Sequence, residues 1–168
     1  METNIQEKKY DRLPLEISGL GGWLILVQIG LYLTIVVILG QLFLYSFPIF
    51  GSETWELLTS PESEYYHPLW APMIVFETVY NIAFVLFCGL ILFHFYGKRK
   101  IVPKLMIIFY GASLAIGIVD LILMYQIPAL LEMEDGSSLR DTIRSAIVCA
   151  VWIPYFIKSR RVRNTFIR

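Results

Sequence analysis

Three residues of this 168-residue chain carry charge where their neighbours carry almost none. They are Glu77 within LWAPMIVFETVYNIAF, Asp120 within LAIGIVDLILM, and Arg144 at the head of RSAIVCAVWIPYFI. A single charge near the middle of a hydrocarbon layer costs about 2.5–3.5 kcal/mol on insertion scales, so such residues pair with one another or mark a path for ions or protons. At about 1.5 Å per helical residue, counting from the nearest basic anchors puts Glu77, Asp120 and Arg144 roughly 31, 24 and 21 Å from the basic side. All three fall in one layer, the half away from those anchors. Asn81 lies one turn from Glu77 on the same helix face, and Gln41 and Gln126 reach similar levels on their own segments. The shared depth predicts that Arg144 is held by Glu77, Asp120 or both. Two acids against one base leave a carboxyl that must be protonated or neutralised.

Such a cluster has two uses. As a salt-bridge knot of Glu77, Asn81, Asp120 and Arg144 it fixes helix register. As a proton or cation site it sits at the foot of an outward-facing cavity. Solvent access separates the two. Enzyme chemistry has less to build on. Cys88 and Cys149 lie in separate apolar runs with no CxxC spacing, so neither a disulfide framework, a zinc site nor the reactive pair of a thiol oxidase is expected. Both are expected to be buried, reduced packing residues. His67 falls in a loop and His94 near the end of a run, which does not make the facing-helix pair a haem requires, and no serine has a histidine and an acid at suggestive spacing. No catalytic residue, cofactor or metal ligand is expected.

The elements that hold these residues are membrane helices. The chain is 57% hydrophobic, above the roughly 45–50% of soluble domains, with a mean hydropathy of +0.62. Four runs are long enough to approach the roughly 20 residues that cross a bilayer core: 23–47, 69–96, 105–131 and 139–157. The first is expected to be retained rather than cleaved, because its run far exceeds the 7–15 residues of a signal-peptide core. One integral membrane domain over 1–168 follows.

Net charge is +0, but its placement is uneven. Lys8, Lys9, Arg12, Lys98, Arg99, Lys100, Lys104, Lys158, Arg160, Arg161, Arg163 and Arg168 fall on one side. Loops 48–68 and 132–141 hold eight acids against Arg140 alone. The positive-inside rule puts both termini in the cytoplasm. The tail KSRRVR then meets anionic lipid headgroups rather than nucleic acid. In the first outer loop, GSETWELLTSP reads as a short surface helix, with Ser52 as N-cap, Glu53 and Glu56 in the first turn, Trp55 and Leu58 on one side and Pro61 beyond the end. SGLGGWL has the outline of a phosphate loop but lacks the preceding strand and soluble helix. Ser18 is expected to cap the first span instead, with the glycines admitting a neighbouring backbone and Trp23 anchoring the interface. Gly111 with Ala115, and Ser113 with Gly117, have the small-xxx-small spacing of close helix packing.

Three stretches together, GLGGWLILVQIGL at 19–31, YHPLWAPMIVFETVYN at 66–81 and RSAIVCAVWIPYFIKSRRVRNTF at 144–166, resemble the bacterial inner-membrane family catalogued as domain of unknown function 2569. The resemblance covers nearly the whole chain and implies four membrane helices and a bacterial origin, with no reaction and no catalytic residue to carry over. The expectation is an all-α, four-transmembrane-helix bundle of the bacterial inner membrane with a short surface helix in the first extracytoplasmic loop. It is expected to be a non-enzymatic accessory or scaffolding component. The alternative is a small transporter or proton/cation pathway subunit using Glu77, Asp120 and Arg144. Expected partners are the lipid bilayer and a membrane protein, with a homodimer left open and no nucleic acid.

Overall fold

A computed structural model describes residues 18–168, which are helical almost throughout and contain no strand. Lys8, Lys9 and Arg12 lie outside the described residues. Helix α1 (Trp23–Gln41) runs into a π-helical turn at Leu42–Ser46 and a last α-helical turn at Phe47–Ile49. Pro48 explains the widened turn. It lacks the N–H that Leu44 would receive and its ring crowds that carbonyl, so the ladder slips by one residue and Phe47 N–H reaches Leu42 O. After α2 (Glu53–Thr59), helix α3 (Trp70–Tyr96) returns, and α4 (Val102–Met124) follows a tight basic turn. Then come α5 (Pro128–Met133), α6 (Ser137–Lys158) and α7 (Arg160–Thr165).

Three of these are long and apolar enough to cross a membrane: Trp23–Ile49, Trp70–Tyr96 and Val102–Met124, with mean hydropathies of 2.4, 2.1 and 2.2. They are apolar on every side, and exposed residues such as Val36, Leu44, Leu86 and Phe93 suit lipid rather than water.

Two expected spans change. The third ends at Met124, not 131, because the residue before Pro128 is driven out of helix; Ile127 is extended at φ −106° and ψ 106°, and α5 restarts from the proline. It also begins earlier, since Pro103 is well suited to a first helical turn. The fourth region forms a helix, Ser137–Lys158, but Arg140, Asp141 and Arg144 occupy its first two turns. Its uncharged part, 145–157, covers only about 20 Å at 1.5 Å per residue. It is not apolar over a bilayer-spanning length as the other three are.

α4 packs most closely along α6, α3 bridges α1 and α4, and α1 and α6 scarcely pack on each other. The contiguous core sits in the half near the basic residues. Leu24, Val27 and Leu31 of α1 meet Cys88, Ile91 and Phe95 of α3, Val102, Met106 and Phe109 of α4, and Phe156 of α6. The tail completes that core. Val162 and Phe166 are buried beneath it, and Phe166 makes an edge contact with Phe95 at 5.1 Å. Arg168 N–H donates to Lys98 O and Lys100 N–H donates to Arg168 O, joining the tail to the α3–α4 turn.

The glycines of SGLGGWL serve this closure. Gly19 and Gly22 have φ of +91° and +61°, and Gly22 is the N-cap of α1 with no side-chain cap, so Ser18, which is exposed, does not cap the helix. Gly19 N–H donates to Thr165 Oγ1 at 2.9 Å, and that hydroxyl donates back to Gly19 O at 3.2 Å. A Cβ on Gly22 would meet the Arg161 guanidinium at 3.3 Å, so the missing side chain admits an arginine rather than a backbone. The expected packing stripe on α4 is also corrected. Gly111 and Ala115 are exposed, whereas Ser113 and Gly117 line a cavity.

Candidate functional site

Around the charged layer the bundle is less tightly filled. α4 carries Asp120 half-buried, with Oδ1 enclosed and lacking a hydrogen-bond partner. α3 carries Glu77, also half-buried, and Tyr80 three residues further along. Asn81, one turn on, is 1% exposed, and its Nδ2 has no partner.

Arg144 does not join them. Its side chain is 78% exposed and bonds Asp141 Oδ1 at 3.1 Å, three residues back on α6. The reason is local. An i,i+3 partner on the same helix is reached without burying a guanidinium, whereas the expected pair would take both charges out of water. Arg140 likewise turns outward to Asp135 at 4.0 Å. Among the described residues no cation forms a salt bridge with Glu77 or Asp120.

Two cavities adjoin at this level. One of about 450 Å³ lies beside α5, lined by Met73 of α3, Asp120 and Met124 of α4, Glu134 just after α5, and Ser138, Asp141, Thr142 and Ser145 from the start of α6. Among the described residues its charged lining is wholly acidic. A second, of about 440 Å³, lies between α1, α3, α4 and α6 and contains Gln41, Tyr80, Asn81, Tyr110, Ser113 and Trp152 among its lining residues. Gly117 and Ser145 belong to both.

The mouth of the acidic cavity is held by a motif that pattern reading passed over, EDGSS at 134–138. Gly136, at φ +84°, turns the chain into α6. Glu134 then accepts from both the amide and the hydroxyl of Ser138, and Asp135 accepts from the amide of Ser137 at 3.0 Å. These bonds to the first turn of a helix hold both carboxyls below their ordinary range. An acid pair followed by Gly-Ser-Ser was the available signal.

The remaining candidates have plain roles. Cys88 is fully enclosed in the core, and Cys149 Sγ donates to Tyr110 O at 3.1 Å; both are free thiols. His94 Nδ1 donates to Leu90 O at 2.9 Å, and His67 Nδ1 accepts from Leu69 N–H at 3.3 Å. Among the described residues no group of three or more His, Cys, Asp or Glu could hold a metal ion. Gln41 lines the central cavity, whereas Gln126 is exposed at the end of α4. Ser52 caps α2 by accepting from Trp55 N–H at 3.2 Å, and Trp55 lies on Phe50 with centroids 5.1 Å apart while α2 rests on α3.

No curated protein and no solved structure matches the chain. A sequence model of one family matches residues 17–167, spanning the three membrane-type helices, both cavities and the closing tail, and the chain therefore belongs to the family described as protein of unknown function, DUF2569.

Proposed function

We propose that this protein is a non-enzymatic accessory component of the bacterial inner membrane, with α6 as a fourth span and both termini in the cytoplasm. The carrying observation is the contrast between its ends. The basic end is filled by the core and tied by the Gly19–Thr165 and Lys98–Arg168–Lys100 bonds, while the opposite end holds an acidic cavity. A static plug with an outward-facing recess suits a component that receives something on the extracytoplasmic side better than one that passes it through. The stripe Ile143, Ile147, Val151 and Ile157 supports α6 as a span, because these exposed residues give it a lipid-facing side about 21 Å long at 1.5 Å per residue. α2 covers the outer rim at the membrane surface. A membrane-protein partner docks at that outer end, and the basic end lies against anionic headgroups.

A second reading has its own support. The Asp120 Oδ1 is enclosed without a partner beside the acidic cavity, and Arg144 is engaged elsewhere, which favours a proton or cation site at Asp120. Cysteine scanning and flux assays test both readings. With the native cysteines replaced, Thr142→Cys should react with a membrane-impermeant thiol reagent from the periplasmic side, and a cysteine at Val162 should resist it from either side. Labelling of Thr142→Cys only from the cytoplasm would overturn the orientation. In proteoliposomes the accessory reading expects no proton or cation flux; flux abolished by Asp120→Asn would replace it with the second.

A further inference from the structure

The central cavity calls for an occupant of different chemistry from the acidic one. Its wall is mainly apolar and aromatic, with Tyr80, Phe84, Phe109, Tyr110 and Trp152 contributing rings from three helices. About 440 Å³ falls within the roughly 300–1,000 Å³ of small-molecule sites. Among the described residues no charged side chain lines it. Asn81 belongs to this lining; its side chain is 1% exposed, and its donor Nδ2 has no hydrogen-bond partner among the described residues. A buried donor with no acceptor is destabilising, and an acceptor entering the cavity removes that cost.

The way in is from the bilayer. α1 and α6 both line the cavity, yet they scarcely pack together; their ring contact, Trp23 on Trp152 at 6.3 Å, closes the slot at its basic end. Leu26, at the cavity wall, is 51% exposed. An occupant arriving through that slot is soluble in lipid.

We propose that the central cavity binds a neutral, lipid-soluble molecule whose carbonyl oxygen accepts from Asn81 Nδ2 while its apolar body lies along the aromatic wall. A plain acyl chain fills the space but leaves the donor unsatisfied. The carbonyl comes from one of two sources, the ester of a bilayer lipid or the ring of a quinone, and this site is independent of the Asp120 cavity.

The test uses the purified full chain in detergent, titrated separately with decylubiquinone, with a dioctanoyl glycerolipid and with decylbenzene, which has no carbonyl. Thermal protection and tryptophan fluorescence are read, with Trp152→Phe assigning the optical signal to the cavity. At least one carbonyl probe should saturate and decylbenzene should not, and which probe saturates names the source. Asn81→Leu should weaken that probe about tenfold, the value of roughly one hydrogen bond, without lowering the melting temperature of the ligand-free protein. Gly30→Leu is a second variant. A Cβ there meets nothing within 4 Å, so a side chain at the cavity wall should block binding in a folded protein. Equal binding of decylbenzene, unchanged affinity in Asn81→Leu, binding undiminished in Gly30→Leu, or no saturation by either carbonyl probe would each overturn the proposal.

Discussion

Thr165→Val isolates the bonds that tie the tail beneath the bundle. Thr165 is 2% exposed, and its hydroxyl meets both polar groups of Gly19, 146 positions away in sequence. Valine preserves the shape and removes the hydroxyl. Gly19 N–H and C=O are then left under a packed tail, where an unsatisfied buried group costs about 1–3 kcal/mol. Gly19 is only half-buried, so water reaches one of the two groups, and the expected loss is about 2 kcal/mol. At roughly 2–4 °C per kcal/mol for a chain of this size, the melting temperature in detergent should fall by about 4–8 °C. Thr165→Ser retains both bonds and should stay within about 2 °C of the wild type. Differential scanning fluorimetry on a buried-thiol dye reads both variants. A valine variant within about 1 °C of wild type, or a serine variant as unstable as the valine one, would show that the tail is held by apolar packing alone.

Arg144→Leu should cost about 0–1 kcal/mol, as expected of an exposed ion pair, and should be additive with Glu77→Leu and Asp120→Leu within about 0.5 kcal/mol; larger coupling in a double-mutant cycle would bring back the buried pair. Asp120→Leu should raise the melting temperature, because it removes an enclosed oxygen that has no partner, and a fall of several degrees would reveal a partner for it. Glu134 and Asp135 have depressed folded-state pKa values, so their contribution is present above their ordinary values of 4.5 and 3.8 and is lost as pH falls through the lower folded values. Amide exchange at Ser137 and Ser138 should therefore accelerate below about pH 4 relative to the middle of α6, and Glu134→Gln with Asp135→Asn should flatten that dependence.

The three long helices could be read from the sequence because hydrocarbon imposes a single requirement on a long segment, unbroken apolarity, and both ends of the first two fell within two residues of the expected ones. Prolines account for the misplaced ends. Pro103 starts α4 before the apolar run does and Pro128 stops it before the run is over, which a hydropathy count passes over because backbone geometry rather than side-chain polarity decides. In the candidate site, depth was legible and direction was not. Counting residues brings Asp120 and Glu77 to one level, and both are half-buried. The same count is silent on azimuth, and Arg144 points to Asp141 on its own helix. The tail shows the opposite case. A run of five basic residues after an apolar segment reads as an orienting charge cluster, yet Val162, Thr165 and Phe166, interleaved with those charges, are the residues that close the core.

Those interleaved residues also account for the distribution of empty space in the bundle. With Val162 and Phe166 in the core beside residues of α1, α3 and α4, and Arg168 bonded to the α3–α4 turn, the basic half acquires a filled core. Toward the acidic end no comparable strap exists among the described residues: α5 and α2 are short, and their connections to the long helices pass through prolines and glycines. Helices held at one end and spaced by Ser113, Gly117 and Ser145 at the other leave room between them; the acidic cavity lies there, and the central one reaches from there down to Leu31 and Phe109 of the core. Polar side chains that would be costly in a closed core are therefore placed beside spaces that a ligand or water can enter. On this argument the unpartnered Asn81 Nδ2 and Asp120 Oδ1 have a common origin in the one-sided closure of the bundle. Loosening the basic end by Thr165→Val should then alter probe binding at the central cavity, even though Thr165 does not line it.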